Sequence, residues 1–293
     1  MPGPRRRDER LGSRHELVAA SEPSGRALPG GYARIVESVT PSIGWGVLHL
    51  YYRVDRERAE RDAGAAKIVR DAFAALAADG HQGVAMAMLG HKADLGVIAL
   101  GPDLARLQQF QNELLAAPLE PVYSYVSLTE QSEYGATEDD ERTRLVREEN
   151  VKGEELEARL AAWRDRIEHY RENRVHPNLP MKQCCCFYPM SKRRAAGANW
   201  YELPFEERKE LMAGHARVGR TYAGRVLQLI TGSTGIDDWE WGVTLLADDP
   251  AALKEIVYEM RFDPVSARYG EFGPFFTGLV LPPSDALERV GLR

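Results

Sequence analysis

Three consecutive cysteines at positions 184–186 are the only cysteines of the chain. They could form a metal site or a redox centre, or they could simply be part of a buried strand. A zinc site needs four ligands that converge on a tetrahedron, normally supplied as pairs two to four residues apart. In an extended strand, Cys184 and Cys186 point to one face and Cys185 to the other, so the three thiolates do not gather on one ion. Cysteine also behaves as a small hydrophobe. The pattern therefore favours a buried strand in a reduced protein.

The cysteines are followed directly by Phe187, Tyr188 and the basic run SKRR at residues 191–194. A solvated loop is the ordinary interpretation of such a run. A second interpretation is a site for the carboxylates or phosphates of a small ligand, because Lys and Arg are the natural partners of these anions. Arg174 lies shortly before the strand and is a candidate to converge on the same place.

His215 lies within LPFEERKELMAGHARVGR, which predicts a helix over residues 203–220. Leu211, His215 and Val218 follow each other at spacings of four and three, so the histidine shares the apolar face of this helix. A histidine in such a position is more often a core residue than a ligand. An imidazole that projects from an apolar helix face is also what a haem iron requires on its proximal side. Periodicity leaves both interpretations open.

The composition limits the partners that the chain is expected to have. Of its 293 residues 44% are hydrophobic and 28% are charged, and the formal net charge is −6. This balance argues against a polyanion such as nucleic acid as the main partner. No apolar run approaches the roughly 20 residues that span a bilayer, and no secretory signal follows the basic N-terminus. We therefore expect a cytoplasmic protein without a membrane span.

Four regions follow from the patterns along the chain: a mobile N-terminal arm, a first domain, a charged linker and a second domain. Their predicted limits are residues 1–40, 41–132, 133–175 and 176–293. The linker is so charged that we expect it to form no core and to continue as a solvated helix through about Arg171.

Each predicted domain alternates strands with helices. In the first, strands are predicted at 44–54, 94–100 and 122–130, and helices at 61–80 and 101–117. In the second, strands are predicted at 182–188, 225–231, 239–247 and 275–281, and helices at 204–218 and 249–260. The strands alternate instead of being apolar throughout, which favours an antiparallel sheet. We predict an α+β protein of two ferredoxin-like domains with antiparallel, barrel-like sheets flanked by helices and joined by the charged helical linker.

Several long segments of the chain resemble the coproheme decarboxylases, which are hydrogen-peroxide-dependent haem synthases of the chlorite dismutase superfamily. The likeness covers roughly residues 40–283 and is carried by YPMSKRR, NWYELPFEER, LMAGH, GRTYAGRVLQLITGSTGIDDWEWGVTLLADDP and YEMRFDPVSARYGEFGPFF. It implies an enzyme that uses peroxide to remove two propionates of iron coproporphyrin III (coproheme) as carbon dioxide, with haem b as the product. It also implies a homopentamer, with a ferrochelatase as a transient partner.

The resemblance also implies a role for individual residues. His215 matches the axial iron ligand, Tyr188 the tyrosine that becomes a radical, and Lys192 the lysine beside the reacting propionate. The remaining matches are pocket residues. Two of them, Arg174 and Ser266, match propionate contacts, and Gln228 matches the group above the iron on its distal side. The residues that match the lining of the pocket are Pro189, Met190 and Ser191.

Two other functions stay open on the sequence. A haem or coproheme carrier without catalytic activity would use His215 and the propionate contacts equally well, but it gives Tyr188 no reason to lie beside Lys192. A chlorite-decomposing enzyme fits less well, because the chlorite dismutases that this chain resembles in fold place an arginine on the distal side, where this chain has the neutral Gln228. The triple cysteine and the acidic linker are departures from the expected pattern, and neither touches a matched position.

Overall fold

The computed structural model describes residues 37–293, so nearly all of the arm predicted for residues 1–40 lies outside the described residues. The strands are β1 (Gly46–Val54), β2 (Gln82–Met88), β3 (Leu95–Gly101), β4 (Leu119–Thr129), β5 (Cys184–Lys192), β6 (Arg194–Ala195), β7 (Ala198–Asn199), β8 (Val226–Gly232), β9 (Trp241–Ala247), β10 (Gly270–Phe272) and β11 (Phe276–Leu281). The helices are α1 (Arg56–Arg61), α2 (Ala65–Ala78), α3 (Leu104–Leu115), α4 (Glu138–Glu148), α5 (Gly153–Val175), α6 (Phe205–Arg220), α7 (Pro250–Met260), α8 (Pro264–Tyr269) and α9 (Pro283–Arg289).

Apart from the short helix α1, the first half of the chain folds as a strand, a helix, two strands, a helix and a strand. Its four strands pair antiparallel in the order β2-β3-β1-β4. This is the strand order of a ferredoxin-like unit. Strand β2 was not predicted, because its segment QGVAMAM is rich in glycine, alanine and methionine instead of β-branched residues.

The second half repeats the same order of elements. Its strands pair antiparallel in the order β11-β5-β9-β8, with α6 and α7 in the two helical positions. The short strand β10 pairs with the far end of β5, where Gly270 lies opposite Lys192. Strand β5 therefore continues past the end of the predicted strand 182–188, and it carries the whole segment from Cys184 to Lys192.

The two sets of four strands join into one continuous antiparallel sheet. Strand β11 pairs with β2, and β4 pairs with β8 through Leu128 and Thr129. The ring runs β5-β11-β2-β3-β1-β4-β8-β9 and returns to β5, so these strands form a closed barrel. Residues 37–293 form one compact unit. An α+β fold with a large antiparallel sheet flanked by helices is therefore confirmed, while the division into two domains stays a prediction.

Alternation along the strands separates an inner from an outer face of the barrel. The interior holds Phe187 and Cys185 of β5 together with Tyr51 and His49 of β1. On the outside, α2, α3 and α9 cover the first half. Helix α7 covers the outer face of the second half, which carries Cys184, Cys186 and Tyr188. The alternation predicted for the cysteines is therefore the one that the structure has.

The charged linker forms two helices instead of one. Asn150, with a φ of 53°, and Gly153, with a φ of 62°, interrupt it between α4 and α5. The expectation that this segment contributes no core is wrong, because Leu145, Val151 and Leu160 bury one another. In the part of the chain that the structure describes, no helix is long and apolar enough to cross a membrane.

Candidate active site on the outer face of the second half

Tyr188 lies on the outer face of β5 with 8% of its surface exposed. The ring of Phe275 stacks on it at a centroid distance of 4.4 Å and an interplanar angle of 23°, and Phe272 lies at 5.9 Å in a tilted orientation. Removal from water raises the pKa of the phenol well above its ordinary value, and the nearby Cys186 acts in the same direction. The phenol therefore keeps its proton at neutral pH, so it can lose a proton and an electron together.

Lys192, at the end of the same strand face, is buried beneath an aromatic ring. Its Nζ lies 4.8 Å from the centroid of the Trp200 ring, a cation–π contact. Burial lowers the pKa of the ammonium to about 8, and the charges of Asp263 and Glu240 oppose that shift. Its backbone N–H donates to Glu240 Oε2 at 2.7 Å, which fixes the end of the strand. Lys192 is therefore a buried cation that is close to losing its proton at physiological pH.

His215 lies on α6 and is held by a carboxylate. Its Nδ1 is 2.8 Å from Oδ2 of Asp263, whose side chain is only 3% exposed. A carboxylate at this nitrogen fixes the tautomer with hydrogen on Nδ1 and leaves Nε2 free as an electron donor. The same Asp263 begins α8, where it accepts a hydrogen bond from the Ser266 backbone N–H at 3.2 Å.

Three of the predicted site residues thus meet around one buried carboxylate. Asp263 bonds His215, caps the helix that carries Ser266 and lies close enough to Lys192 to affect its pKa. Ser266 itself is 9% exposed. The end of β5, the middle of α6 and the start of α8 therefore converge.

Gln228 is brought to the same helix as His215. It lies on the outer face of β8, between Val226 and Ile230, and its Nε2 donates to the Gly219 carbonyl oxygen at 3.2 Å. Gly219 is four residues after His215, which is about one helical turn. The amide of Gln228 is exposed, and it faces the same helix that presents the imidazole.

Arg174 does not contact the other predicted site residues directly. In the last turn of α5, its Nε donates to the Glu130 carbonyl oxygen at 3.2 Å. The side chain of Glu130 accepts from Trp241 Nε1, also at 3.2 Å. Trp241 lies opposite Met190 in the pairing of β5 with β9. Arg174 is therefore linked to this end of the outer face through Glu130 and Trp241.

The other residues predicted to line the pocket divide between the two sides of β5. Met190 has the parity of Tyr188 and packs in the outer apolar cluster. Pro189 and Ser191 have the opposite parity. The Ser191 hydroxyl accepts the Glu240 backbone N–H at 3.2 Å, and the Pro189 carbonyl accepts the Gly273 N–H at 2.9 Å. These two residues thus brace the strand.

The surroundings of His215 suit a flat apolar ligand with anionic edges. Helix α6 buries only Gly219, although it carries an apolar face, whereas the shorter α7 buries three residues against the sheet. The outer sheet face there is apolar and includes Val226, Val243 and Leu245. A histidine nitrogen that is free to donate electrons is what a porphyrin iron requires, and buried Lys192 suits a carboxylate. The residues present therefore fit an iron porphyrin.

Two surface clefts lie in the described part of the chain, and the first of them is next to this site. One of about 350 Å³ lies between α6 and α8, and Leu211, Pro264 and Tyr269 are part of its lining. Another of about 600 Å³ lies along α5 beside Trp163 and Arg171. Tyr188 and Lys192 line neither cleft, so the site is defined by the side-chain contacts above.

Sequence reasoning missed Asp263, Phe275 and Trp200. Asp263 carried one signal, because Asp followed by Pro is typical of a helix start. Its bond to His215 spans 48 positions, and no local pattern shows such a pairing. The two aromatic residues looked like ordinary core residues.

An antiparallel barrel flanked by helices, with a carboxylate-held histidine close to a buried lysine, defines the class of this α+β protein. The chain belongs to the chlorite dismutase family, whose model matches residues 61–281. It is similar to a protein from Natronomonas pharaonis named for a candidate haem-binding role, with 45% identity over 203 residues, 68% of this chain and 31% of that protein. The chain thus spans about a third of that curated relative.

Two solved structures place the fold. A haem-binding protein from Thermus thermophilus superposes with a TM-score of 0.70 at 36% identity, over 87% of this chain and 98% of that one. A mutant chlorite dismutase from Candidatus Nitrospira defluvii superposes with a TM-score of 0.64 at 17% identity, over 85% and 97% of the two chains. The second likeness supports the fold alone.

Proposed function

We propose that the protein is a coproheme decarboxylase, which uses hydrogen peroxide to convert two propionates of iron coproporphyrin III to vinyl groups and yields haem b. One observation carries this proposal: a buried, protonated Tyr188 and a buried Lys192 lie on one strand face, and Lys192 lies close to the carboxylate that holds His215. Family membership and the resemblance of residues 40–283 support it. Homopentamer formation, a cytoplasmic location and a transient contact with a ferrochelatase stay predictions from the resemblance.

The substrate would be held by the residues that converge on Asp263. His215 Nε2 would bind the iron, and Asp263 would strengthen it as a donor by accepting its Nδ1–H. Lys192, Arg174 and the Ser266 hydroxyl would bind propionates. The bound iron would supply the oxidising equivalents of peroxide, since no side chain here supplies them.

Tyr188 would transfer those equivalents to the propionate. Its phenol loses a proton and an electron, and the resulting radical takes a hydrogen atom from the carbon next to the porphyrin ring. Loss of a second electron releases carbon dioxide and leaves a vinyl group. For each propionic acid, one peroxide is consumed, and one carbon dioxide and two waters form, which balances atoms and electrons.

Lys192 would hold the reacting carboxylate and exchange a proton with it. A pKa of about 8 keeps the amine mostly charged at neutral pH and makes its proton available. The resemblance assigns Gln228 to the open side of the iron, and to face it there the amide would have to leave the Gly219 carbonyl oxygen that it now bonds. Its amide carries no charge, which suits neutral peroxide better than an anionic oxidant.

The test is a titration of the protein loaded with coproheme by hydrogen peroxide, with the porphyrins separated by chromatography. We expect a three-propionate intermediate and then haem b. Tyr188→Phe is expected to lower turnover at least about 100-fold, because the hydrogen acceptor is lost, and to leave coproheme affinity within about threefold. Absence of both products with intact protein would overturn the proposal.

A haem or coproheme carrier is the second candidate, since the names of two relatives describe haem binding only. A carrier would bind coproheme through His215 and return it unchanged after peroxide. Recovery of unchanged coproheme from both wild type and Tyr188→Phe after peroxide would favour it.

A further inference from the structure

The segment Gly270–Phe276 wraps around Tyr188 from the neighbouring strands. Phe275 covers one face of the phenol ring at 4.4 Å and Phe272 lies against it at 5.9 Å. The guanidinium of Arg261 lies 3.8 Å above the Phe272 ring. The segment begins with strand β10 and ends at the first residue of strand β11, and both strands pair with β5.

The segment is attached to β5 close to Tyr188. The Gly273 N–H donates to the Pro189 carbonyl at 2.9 Å. A side chain at Gly273 would come within 2.7 Å of Pro189 and 2.9 Å of Trp239, so the backbone can approach this closely only at a glycine. This contact holds the backbone next to Phe275 close to β5, and it thereby sets the distance between the Phe275 and Tyr188 rings.

The first half of the chain holds the segment from the other side. Lys92, in the loop between β2 and β3, donates from Nζ to the Phe275 carbonyl oxygen at 2.8 Å. Its Nζ also lies 5.7 Å from the centroid of the Phe276 ring. The Leu89 N–H donates to the Thr277 carbonyl oxygen at 2.8 Å. The loop from Leu89 to Lys92 thus supports the aromatic residue that covers Tyr188.

We infer that Phe275 is a positioning residue for Tyr188 and that Lys92 is the contact through which the first half of the chain holds Phe275 in place. The inference rests on the proposed function for its catalytic consequence. A stacked ring restricts rotation of the phenol and excludes water from one of its faces. Because the stacked ring also resists displacement of the whole phenol, the hydroxyl oxygen keeps one position relative to the propionate, which a hydrogen-atom transfer requires. Small errors in such a position are costly, since a 1 Å misplacement can lower a rate by about 100-fold.

The first experiment uses the full apo chain with isotope-labelled tyrosine, observed by NMR, with the Tyr188 signals assigned by their loss in Tyr188→Phe. Phe275→Leu keeps an apolar side chain but removes the ring. We expect the Tyr188 ring protons to lose their upfield ring-current shift and the ring to rotate faster. Phe275→Tyr is expected to restore both, and Lys92→Met to produce a smaller change of the same kind.

The matched control is Phe262→Leu, the same substitution at a phenylalanine that is 70% exposed and does not contact Tyr188. It is expected to leave the Tyr188 signals unchanged. Unchanged Tyr188 signals in a folded Phe275→Leu protein would overturn the inference. Lys92 is exposed, so Lys92→Met is expected to fold. If Phe275→Leu does not fold, the Tyr188 signals of Lys92→Met decide the test instead.

The second experiment loads the same variants with coproheme and adds peroxide. Phe275→Leu is expected to lower kcat about 10-fold or more and to change the dissociation constant of coproheme less than about threefold. If wild type forms no product, the proposed function fails, while the NMR result still decides whether Phe275 positions Tyr188. If wild type is active and Phe275→Leu has the same kcat, the positioning role is refuted.

Discussion

Asp263 is the residue on which most of the site depends, because one buried carboxylate serves three elements. It holds the imidazole of His215, caps α8 and stabilises the charge of Lys192. A carboxylate that accepts from a metal-binding histidine typically contributes 10–100-fold in metal affinity.

Under the proposed function, Asp263→Asn is therefore expected to weaken coproheme binding by about 10–100-fold. The asparagine can still cap α8, but it no longer carries the charge that strengthens His215 as a donor. The measurement is a coproheme titration followed by the Soret absorbance. Asp285→Asn, in the first turn of α9, is the control. An affinity equal to wild type would show that the His215 contact does not matter for binding.

The buried ammonium of Lys192 carries a cost in stability that depends on pH. Its pKa in the folded protein is about 8, against 10.5 for a free lysine. Below about pH 8 both the folded and the unfolded states hold the proton, and the folded state bears the full cost of burying the charge. As the pH rises from about 8 towards 10.5, only the unfolded state keeps the proton, so the folded state gains stability.

Lys192→Met is accordingly expected to raise the free energy of unfolding of the apo protein at pH 7 by roughly 1–3 kcal/mol. The difference is expected to shrink at about pH 9.5, where wild type is relieved of the charge. Urea unfolding at both pH values measures it, with the exposed Lys254→Met as the control. A Lys192→Met protein less stable than wild type at pH 7 would contradict this account. Lower activity is expected as well, so stability and function are opposed at this position.

At the level of single elements, sequence patterns were most informative where the signal was local. The alternation along β5 predicted which side chains share a face with Tyr188, and the apolar spacing in α6 predicted the face that carries His215. The end of β5 was misjudged because Pro189 and the basic run looked like a loop. In the structure, pairing with β9 and β10 extends the strand through Lys192.

The linker shows how composition can mislead about an element. Its charges form many pairs, among them Arg144 with Glu149 at 2.6 Å and Arg164 with Glu138 at 2.8 Å. Exposed pairs of this kind contribute about 0–1 kcal/mol each and weaken in salt. The packing of the fully buried Leu160 against Leu145 therefore contributes more to holding α4 and α5 together than these exposed pairs do.

Leu160→Ala is expected to destabilise α4 and α5 by about 2–4 kcal/mol through the cavity that it leaves. Glu149→Gln is expected to cost much less than Leu160→Ala, and that cost should decrease in high salt. Amide hydrogen exchange of the two helices measures both effects. Faster exchange in Glu149→Gln than in Leu160→Ala would mean that charge holds the linker together.

For the whole molecule, the sequence predicted the two repeated halves but not how they join. Closure depends on β2 pairing with β11 and on β4 pairing with β8, and each pair brings together residues that are far apart along the chain. The local pattern of a strand does not identify its distant partner, since alternation determines only which side chains share a face. Strand β2 was itself not predicted, and without it the barrel cannot close through the pairing of β2 with β11.

Inside the closed barrel, His49 links the two halves. It is fully buried on β1, its Nε2 lies 2.7 Å from Thr244 Oγ1 on β9, and its ring stacks on Phe187 of β5 at 4.1 Å. Removal from water lowers the pKa of the imidazole to about 3. The histidine therefore stays neutral in the folded barrel throughout the physiological range. In the unfolded chain it takes up a proton near pH 6.5.

Stability should accordingly be lost as the pH falls from about 6.5 towards 3, because only the unfolded state gains the proton in that interval. The contribution of one such group approaches about 1.4 kcal/mol for each pH unit. His49→Gln keeps a hydrogen-bonding group but removes the titration, so its stability should fall less steeply between about pH 6 and 4.5, even though it is less stable at pH 7. Urea unfolding across this range measures the slope, and the exposed His91→Gln should keep the wild-type slope. If His49→Gln and wild type lose stability with the same slope, the acid sensitivity of the molecule arises from its carboxylates and not from the interior of the barrel.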